Sequence, residues 1–292
     1  MPRWLKISAL TFAGILTLLG AGAYAYYKYI GIIPSHDYET EPPALPQFSK
    51  PAVLIFNKTN GFRHIDALPV ADALFTELAQ AHGWDVFVTD NAAVHNPGVL
   101  DNFDLVIWNN VSGDVLTNEQ RSSLKQWLTN GGGWLGVHGS GGDTSYQWPW
   151  YVQTLIGAQF IGHTMMPQFQ DAELYRTDLD SVVTEHLSTP WQIPAEEWYA
   201  FDASPRDKGY EILVTIDPDS YETHGPVDSG WMEGWSDRMG SDGEHPQVWR
   251  HRLGQGRAFY SAIGHQPATY GIPAYRELLS KAMRWAMGES SE

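Results

Sequence analysis

Gly131-Gly132-Gly133-Trp134-Leu135-Gly136-Val137-His138-Gly139-Ser140-Gly141-Gly142 is the stretch on which the reading of this chain turns. Gly133 to Val137 has the length and apolar character of a buried parallel strand, and the glycines beyond it make a tight turn. His138 therefore stands at the carboxyl end of that strand. The segment before it, Thr117 to Asn130, reads as a helix with Thr117 as N-cap and Gln120 completing a capping box. Gly131 to Gly133 follow this helix and precede the strand, so they read as a helix C-cap and not as a phosphate loop. The chain has no cysteine. Chemistry at His138 is then acid–base, metal-assisted or absent.

The same alternation extends outward. Ala52 to Phe56 reads as a buried strand, and Leu68, Ala71, Leu74, Phe75 and Leu78 recur at helical spacing until Gly83. Trp84 to Val88 and Leu105 to Trp108 are further short apolar strands. This pattern predicts an α/β domain with a doubly wound, mostly parallel, flavodoxin-like sheet and helices on both faces. After Ile156 the pattern becomes mixed, with strands at Ala172 to Arg176, Trp198 to Phe201, Glu211 to Ile216, Gln247 to His251 and Ala258 to Ile263. These are expected as antiparallel additions in the C-terminal half. Asp217 to Glu244 has no period and reads as a long functional loop or lid. Pro273 to Met287 reads as a closing amphipathic helix.

Three regions divide the chain: residues 1–30, a proline-rich linker at 31–51, and the domain at 52–288. Ile7 to Tyr27 carries no charge and, as a helix, is long enough to cross a bilayer. Arg3 and Lys6 before it place the domain on the exported side, periplasmic or extracellular, and Tyr24, Tyr26, Tyr27 and Tyr29 suit an interfacial belt. The favoured reading is a membrane anchor. The alternative is a signal peptide cleaved after a small-residue site near Ala23 or Ala25, giving a secreted protein. Acids outnumber bases 34 to 18, a net charge of −16, and no basic stripe is visible, which argues against nucleic-acid partners.

Ligands of open α/β sheets bind beyond the carboxyl ends of the strands. Three loops meet that condition: Asn57 to His64, Asn109-Asn110, and His138 to Asp143. From them Lys58, Thr59, Arg63, His64, Asn109 and Asp143 are candidate substrate-binding residues. Asp143 has two readings, orienting His138 or capping a helix that begins near Tyr146. Trp148, Trp150, Trp198, Trp231, Trp235 and Trp249 offer flat faces suited to stacking on sugar rings, although tryptophan is more often core.

Taken in order, these motifs resemble the ThuA-like, trehalose-utilisation family, whose fold is of the class I glutamine amidotransferase-like kind. The resemblance covers about residues 52–288. It rests on Asn57-Lys58-Thr59-Asn60-Gly61-Phe62-Arg63-His64, on Gly131 to His138, on Ile156-Gly157-Ala158-Gln159-Phe160 leading to Gly162-His163, on Glu196-Glu197-Trp198-Tyr199, on His245-Pro246-Gln247-Val248-Trp249, and on Gly256-Arg257-Ala258-Phe259-Tyr260 through Gly264-His265. In amidotransferases of this fold a cysteine occupies the place of His138 and a His-Pro-Glu turn activates it. Here Gly264-His265-Gln266-Pro267 lacks the glutamate, so glutamine hydrolysis is not expected.

The resemblance implies a small-molecule sugar or sugar derivative as partner. His138, His265 and Glu197 are the expected catalytic residues. Glu197 is chosen because apolar neighbours raise a carboxyl pKa, and Trp198 and Tyr199 join the substrate-binding set. Two chemistries stand open: a divalent metal such as zinc held by His138, His163, His245 and His265, or metal-free acid–base chemistry. A carbohydrate-processing enzyme acting on a sugar or keto-sugar glycoside is the leading function. A non-catalytic carbohydrate-binding or partner-binding module is the alternative.

Overall fold

The computed structural model describes residues 3–49, 51–144, 146–223 and 243–289, with side chains from residue 11 on. An N-terminal helix α1 spans Arg3–Tyr29. The domain begins with β1 (Ala52–Phe56), α2 (Ala67–Ala81), β2 (Asp85–Thr89), β3 (Leu105–Asn109), α3 (Asn118–Thr129) and β4 (Gly133–Val137). It continues through β5 (Phe160–His163), β6 (Gln170–Arg176), β7 (Trp191–Glu196), β8 (Tyr199–Phe201), β9 (Glu211–Ile216), β10 (Pro246–Leu253), β11 (Gly256–Ser261) and α4 (Pro273–Ala286).

Among the described residues nine strands form one sheet in the order β2-β1-β3-β4-β11-β10-β9-β6-β7, with β5 and β8 paired separately. The pairs from β2 to β11 are parallel and those from β11 to β7 antiparallel. The expected mostly parallel sheet with antiparallel C-terminal additions is thus the fold observed. Strand alternation explains its two cores. Val53 and Ile55 of β1 face α2 and α4, whereas Ala52, Leu54 and Phe56 face the side carrying Leu124 and Leu128 of α3. In α4, Leu278, Leu279 and Met283 are fully buried. Each contributes about 1.5–3 kcal/mol of apolar burial.

The expected capping box is present: Thr117 accepts from the Gln120 N–H, and the Gln120 side chain accepts from the Thr117 N–H. Gly131, at φ 125°, ends that helix in a conformation other residues rarely adopt. Two strands, β5 and β7, escaped the sequence reading. Both are interrupted by polar residues or by proline and take their order from pairing with distant segments.

The proline-rich linker is extended, as its composition requires, but it lies against the domain. The Glu39 carboxylate accepts from Lys58 at 2.6 Å and from the Ala92 N–H at 2.9 Å. Leu45 and Phe48 pack on the α3-side core. The uncharged run expected to span a membrane begins at Ile7, and the side chains of residues 1–10 lie outside the described ones. Among the described residues no helix is long and apolar enough to cross a membrane. Of the expected lid, residues 224–242 likewise lie outside the described residues, as do Trp231 and Trp235.

Candidate functional site

The sheet order reverses at β1, so the chain runs from β1 outward to β2 and then back to β3 on the other side. At such a switch point the connecting segments diverge and leave a crevice at the strands' carboxyl ends. Two adjoining strand ends carry non-glycine residues in the left-handed region, Asn110 at φ 50° after β3 and His138 at φ 42° after β4. Such backbone costs roughly 1–3 kcal/mol per residue, so the surroundings must enforce it. They do. The Asn110 side chain accepts from the Gly139 N–H and donates to the Tyr270 oxygen; Ser140 donates to the Trp108 carbonyl; Tyr260 donates to the His138 carbonyl. Glycine at 139 leaves room for the His64 ring, since a Cβ there would lie 2.9 Å from its Cε1.

His138 is fully buried, and its Nδ1 lies 2.6 Å from the Ala262 carbonyl. A carbonyl can only accept, so Nδ1 carries the proton and Nε2 presents a lone pair. Around Nε2 stand the Tyr199 hydroxyl at 2.9 Å, Nδ1 of His265 at 3.3 Å and Oε2 of Glu197 at 3.4 Å. The Tyr199 ring stacks on His138 with centroids 4.2 Å apart. His265 Nδ1 is 3.1 Å from the same Glu197 oxygen. The other oxygen, Oε1, accepts from Gln168 at 2.6 Å and faces Nδ1 of His163 at 3.3 Å. His64 completes the group, its ring 4.7 Å from both His138 and His265.

Electrostatics divide these groups. Burial pushes His64 well below the usual histidine range, assisted by His138 and His265. Burial also lowers His138, outweighing the Glu197 carboxylate. Glu197 itself is buried, which by itself raises a carboxyl pKa, yet the close His138 ring, the hydrogen bond with His265 and the nearby His163 hold it well below its usual range. Burial opposes the charge on His265, but Glu197 prevails and raises its pKa. The favoured arrangement is a His265–Glu197 ion pair beside neutral His64 and His138. Glu196, fully buried, is pushed up to about 7 by desolvation. Its carboxylate accepts from the His265 N–H and the Thr269 hydroxyl, fixing the turn that carries His265.

The expected candidates are distributed unevenly. His64, His138, Glu197, Tyr199 and His265 meet at one point, and His163 touches it through Glu197. His245 does not: it lies beside Phe201, Ser204 and Arg206 in a separate cavity, its pKa lowered by burial. Lys58 is paired with Glu39. Thr59 bridges to Ser112 as an isolated strand pair. Asn109 donates to the Leu68 carbonyl and to Asp72, bracing α2. Asp143 accepts from the Gly113 N–H at 2.8 Å, so it ties the loop after β3 to the turn after β4. Trp198 is fully buried and donates to the Gln170 carbonyl; Trp249 is fully buried and donates to the Ile156 carbonyl. Trp148 stacks on Tyr151 and packs beside Trp150.

Arg63 and His64 line a cavity of about 300 Å³ that reaches His265, bounded also by Phe62, Phe169, Tyr26 of α1 and Ile30 just beyond that helix. Gln168 and Phe169 had no sequence signal, because both lie between strands in a segment without period. Glu196 was visible beside Glu197, but only the turn it caps reveals its use.

A sequence model described as trehalose utilisation (ThuA) matches residues 52–286. Among solved structures, a putative ThuA-like protein from Bacteroides uniformis is similar at 24% identity, covering 86% of this chain and 97% of that one, with a TM-score of 0.69. A second, from Parabacteroides merdae, is 16% identical, covers 83% of this chain and 92% of that one, and has a TM-score of 0.60. No curated protein matches the chain. The structural likenesses establish the fold, and the match over residues 52–286 establishes that the chain belongs to the ThuA, trehalose-utilisation family.

Proposed function

We propose that this protein is a carbohydrate-processing enzyme that acts on a sugar or keto-sugar glycoside by His/Glu acid–base or metal-assisted chemistry. The observation that carries this reading is the convergence of His64, His138 and His265 on one buried carboxylate, Glu197, next to a cavity of about 300 Å³. Phe62 and Phe169 offer apolar faces to the C–H side of a sugar ring, and Arg63 and Gln266 offer donors to its hydroxyls. The His265–Glu197 pair supplies a base for a hydroxyl proton or for a proton next to a keto group. The Tyr199 hydroxyl, held against His138, is a donor for the return transfer.

The reading is tested by a screen of glycosides and keto-glycosides, followed by Glu197→Gln, His265→Gln and their double variant on any substrate found. Each single change is expected to remove turnover, and the double variant to be little worse, because groups acting as a unit are non-additive. Saturable sugar binding without turnover of any substrate would instead establish a carbohydrate-binding module.

For location, the uncharged run Ile7 to Tyr27 with Arg3 and Lys6 before it supports a membrane anchor with the domain on the exported side, or a cleaved signal peptide. A reporter fused after Glu292 is expected to be active only in the exported compartment. N-terminal sequencing of the mature protein separates anchor from signal peptide.

A further inference from the structure

We infer that His64, His138, His265 and Glu197 form a divalent transition-metal site, with zinc as the expected ion. One ligand atom from each residue lies within 4.8 Å of the others. Three of the separations are much tighter: His138 Nε2 to His265 Nδ1 is 3.3 Å, His138 Nε2 to Glu197 Oε2 is 3.4 Å, and His265 Nδ1 to Glu197 Oε2 is 3.1 Å. Four ligands about 2.0–2.1 Å from a tetrahedral zinc stand roughly 3.3–3.4 Å from one another. Three donors therefore already have the spacing of one face of a coordination tetrahedron.

The tautomer of His138 suits a metal ligand. His138 Nδ1 is committed to the Ala262 carbonyl, which leaves the Nε2 lone pair facing the Glu197 carboxylate. In the ion-free site the Tyr199 hydroxyl, 2.9 Å away, donates to that lone pair, and a bound ion would take the hydroxyl's place. His64 is only 7% exposed, and its Nδ1 is buried without a hydrogen-bond partner among the described residues. A buried ring nitrogen left unpaired costs about 1–3 kcal/mol, and coordination is one way to offset it. The donor set is imidazole and carboxylate with no thiolate, which suits zinc, iron or nickel better than copper(I) or calcium.

The supporting groups also match those of a metal centre. A ligating histidine commonly donates its second ring N–H to a carbonyl, and a ligating carboxylate is itself hydrogen-bonded. Here His138 donates to Ala262, and the outer oxygen of Glu197 accepts from Gln168. The cavity reaches His64 and His265, so exchangeable ligands have a path to the same point. The site coincides with the one proposed for sugar chemistry, but metal affinity does not require that reading to be correct.

The test uses full-length protein in mild detergent, stripped with a chelator and dialysed, with no sugar present. Calorimetric titration with zinc sulfate is expected to give one ion per chain, and cobalt(II) to give the strong visible absorption of a low-symmetry imidazole site. Glu197→Gln and His64→Gln are expected to weaken zinc binding more than about 100-fold, since loss of a mere outer partner costs 10–100-fold. His245→Gln, in a different cavity, is expected to bind as the wild type does. A wild type that binds no ion, or Glu197→Gln and His64→Gln variants that fold and bind unchanged, would overturn the proposal. Should either variant fail to fold, wild-type stoichiometry and the cobalt spectrum decide it. A bound ion without sugar turnover would defeat only the proposed enzyme function; turnover by protein that binds no ion would defeat only the metal site.

Discussion

Lowering the pH is expected to destabilise this protein through His95, and substituting that residue is expected to relieve much of the effect. His95 is fully buried, with Nδ1 donating to the Ala92 carbonyl and Nε2 accepting from the Trp108 indole N–H, both at 3.2 Å. A second proton on the ring would meet the Trp108 donor. Burial pushes the His95 pKa from 6.5 down to about 3. The folded state then binds fewer protons than the unfolded one between those values, so the neutral ring's stabilisation is complete above pH 6.5 and is lost as pH falls toward 3. Each pH unit well inside that window costs about 1.4 kcal/mol, which gives a loss of roughly 3 kcal/mol between pH 7.5 and 4.5. Urea unfolding followed by tryptophan fluorescence at several pH values measures it. His95→Gln keeps a donor and an acceptor but cannot gain the charge. The difference between variant and wild type should therefore shift toward the variant by about 3 kcal/mol over the same range, with contributions such as that of Glu196 cancelling. Parallel stability curves for the two proteins would refute the argument.

Glu39→Ala is expected to lower stability by about 1–3 kcal/mol, because it leaves Lys58 buried without its partner and removes the acceptor for the Ala92 N–H; an unchanged denaturation midpoint would show the linker contact to be dispensable. Gly139→Ala is expected to displace the His64 ring, whose Cε1 would stand 2.9 Å from the new Cβ, and to reduce zinc affinity while the far-ultraviolet spectrum stays native. Calorimetry showing wild-type affinity would contradict that placement of His64. Gln168→Ala should weaken zinc binding about 10–100-fold by freeing the outer oxygen of Glu197, without changing stoichiometry; the same titration checks it.

The sequence determined the scaffold because its signals are local and periodic. Apolar runs of strand length at 52–56, 105–109 and 133–137, a capping box at Thr117 and Gln120, and the amphipathic turns of α4 each follow from residues near one another in the chain. The glycine turn after Val137 placed His138 at a strand end, and the ordered motifs named the family. What local pattern could not supply was which histidines meet. His64 and His265 are separated by most of the domain, and only the order β2-β1-β3-β4-β11 brings the loop after β1, the turn after β4 and the turn after β11 to one crevice. His163 and His245 have the same chemistry in sequence, yet the first borders the cluster beside Glu197 and Tyr199 and the second lines a different cavity. Lys58 and Asn109 sit on the expected loops but are consumed by Glu39 and Asp72. Side-chain identity is local information; which atom a buried nitrogen or carboxylate faces depends on packing between segments far apart in the chain, and that was decided only by the tertiary structure.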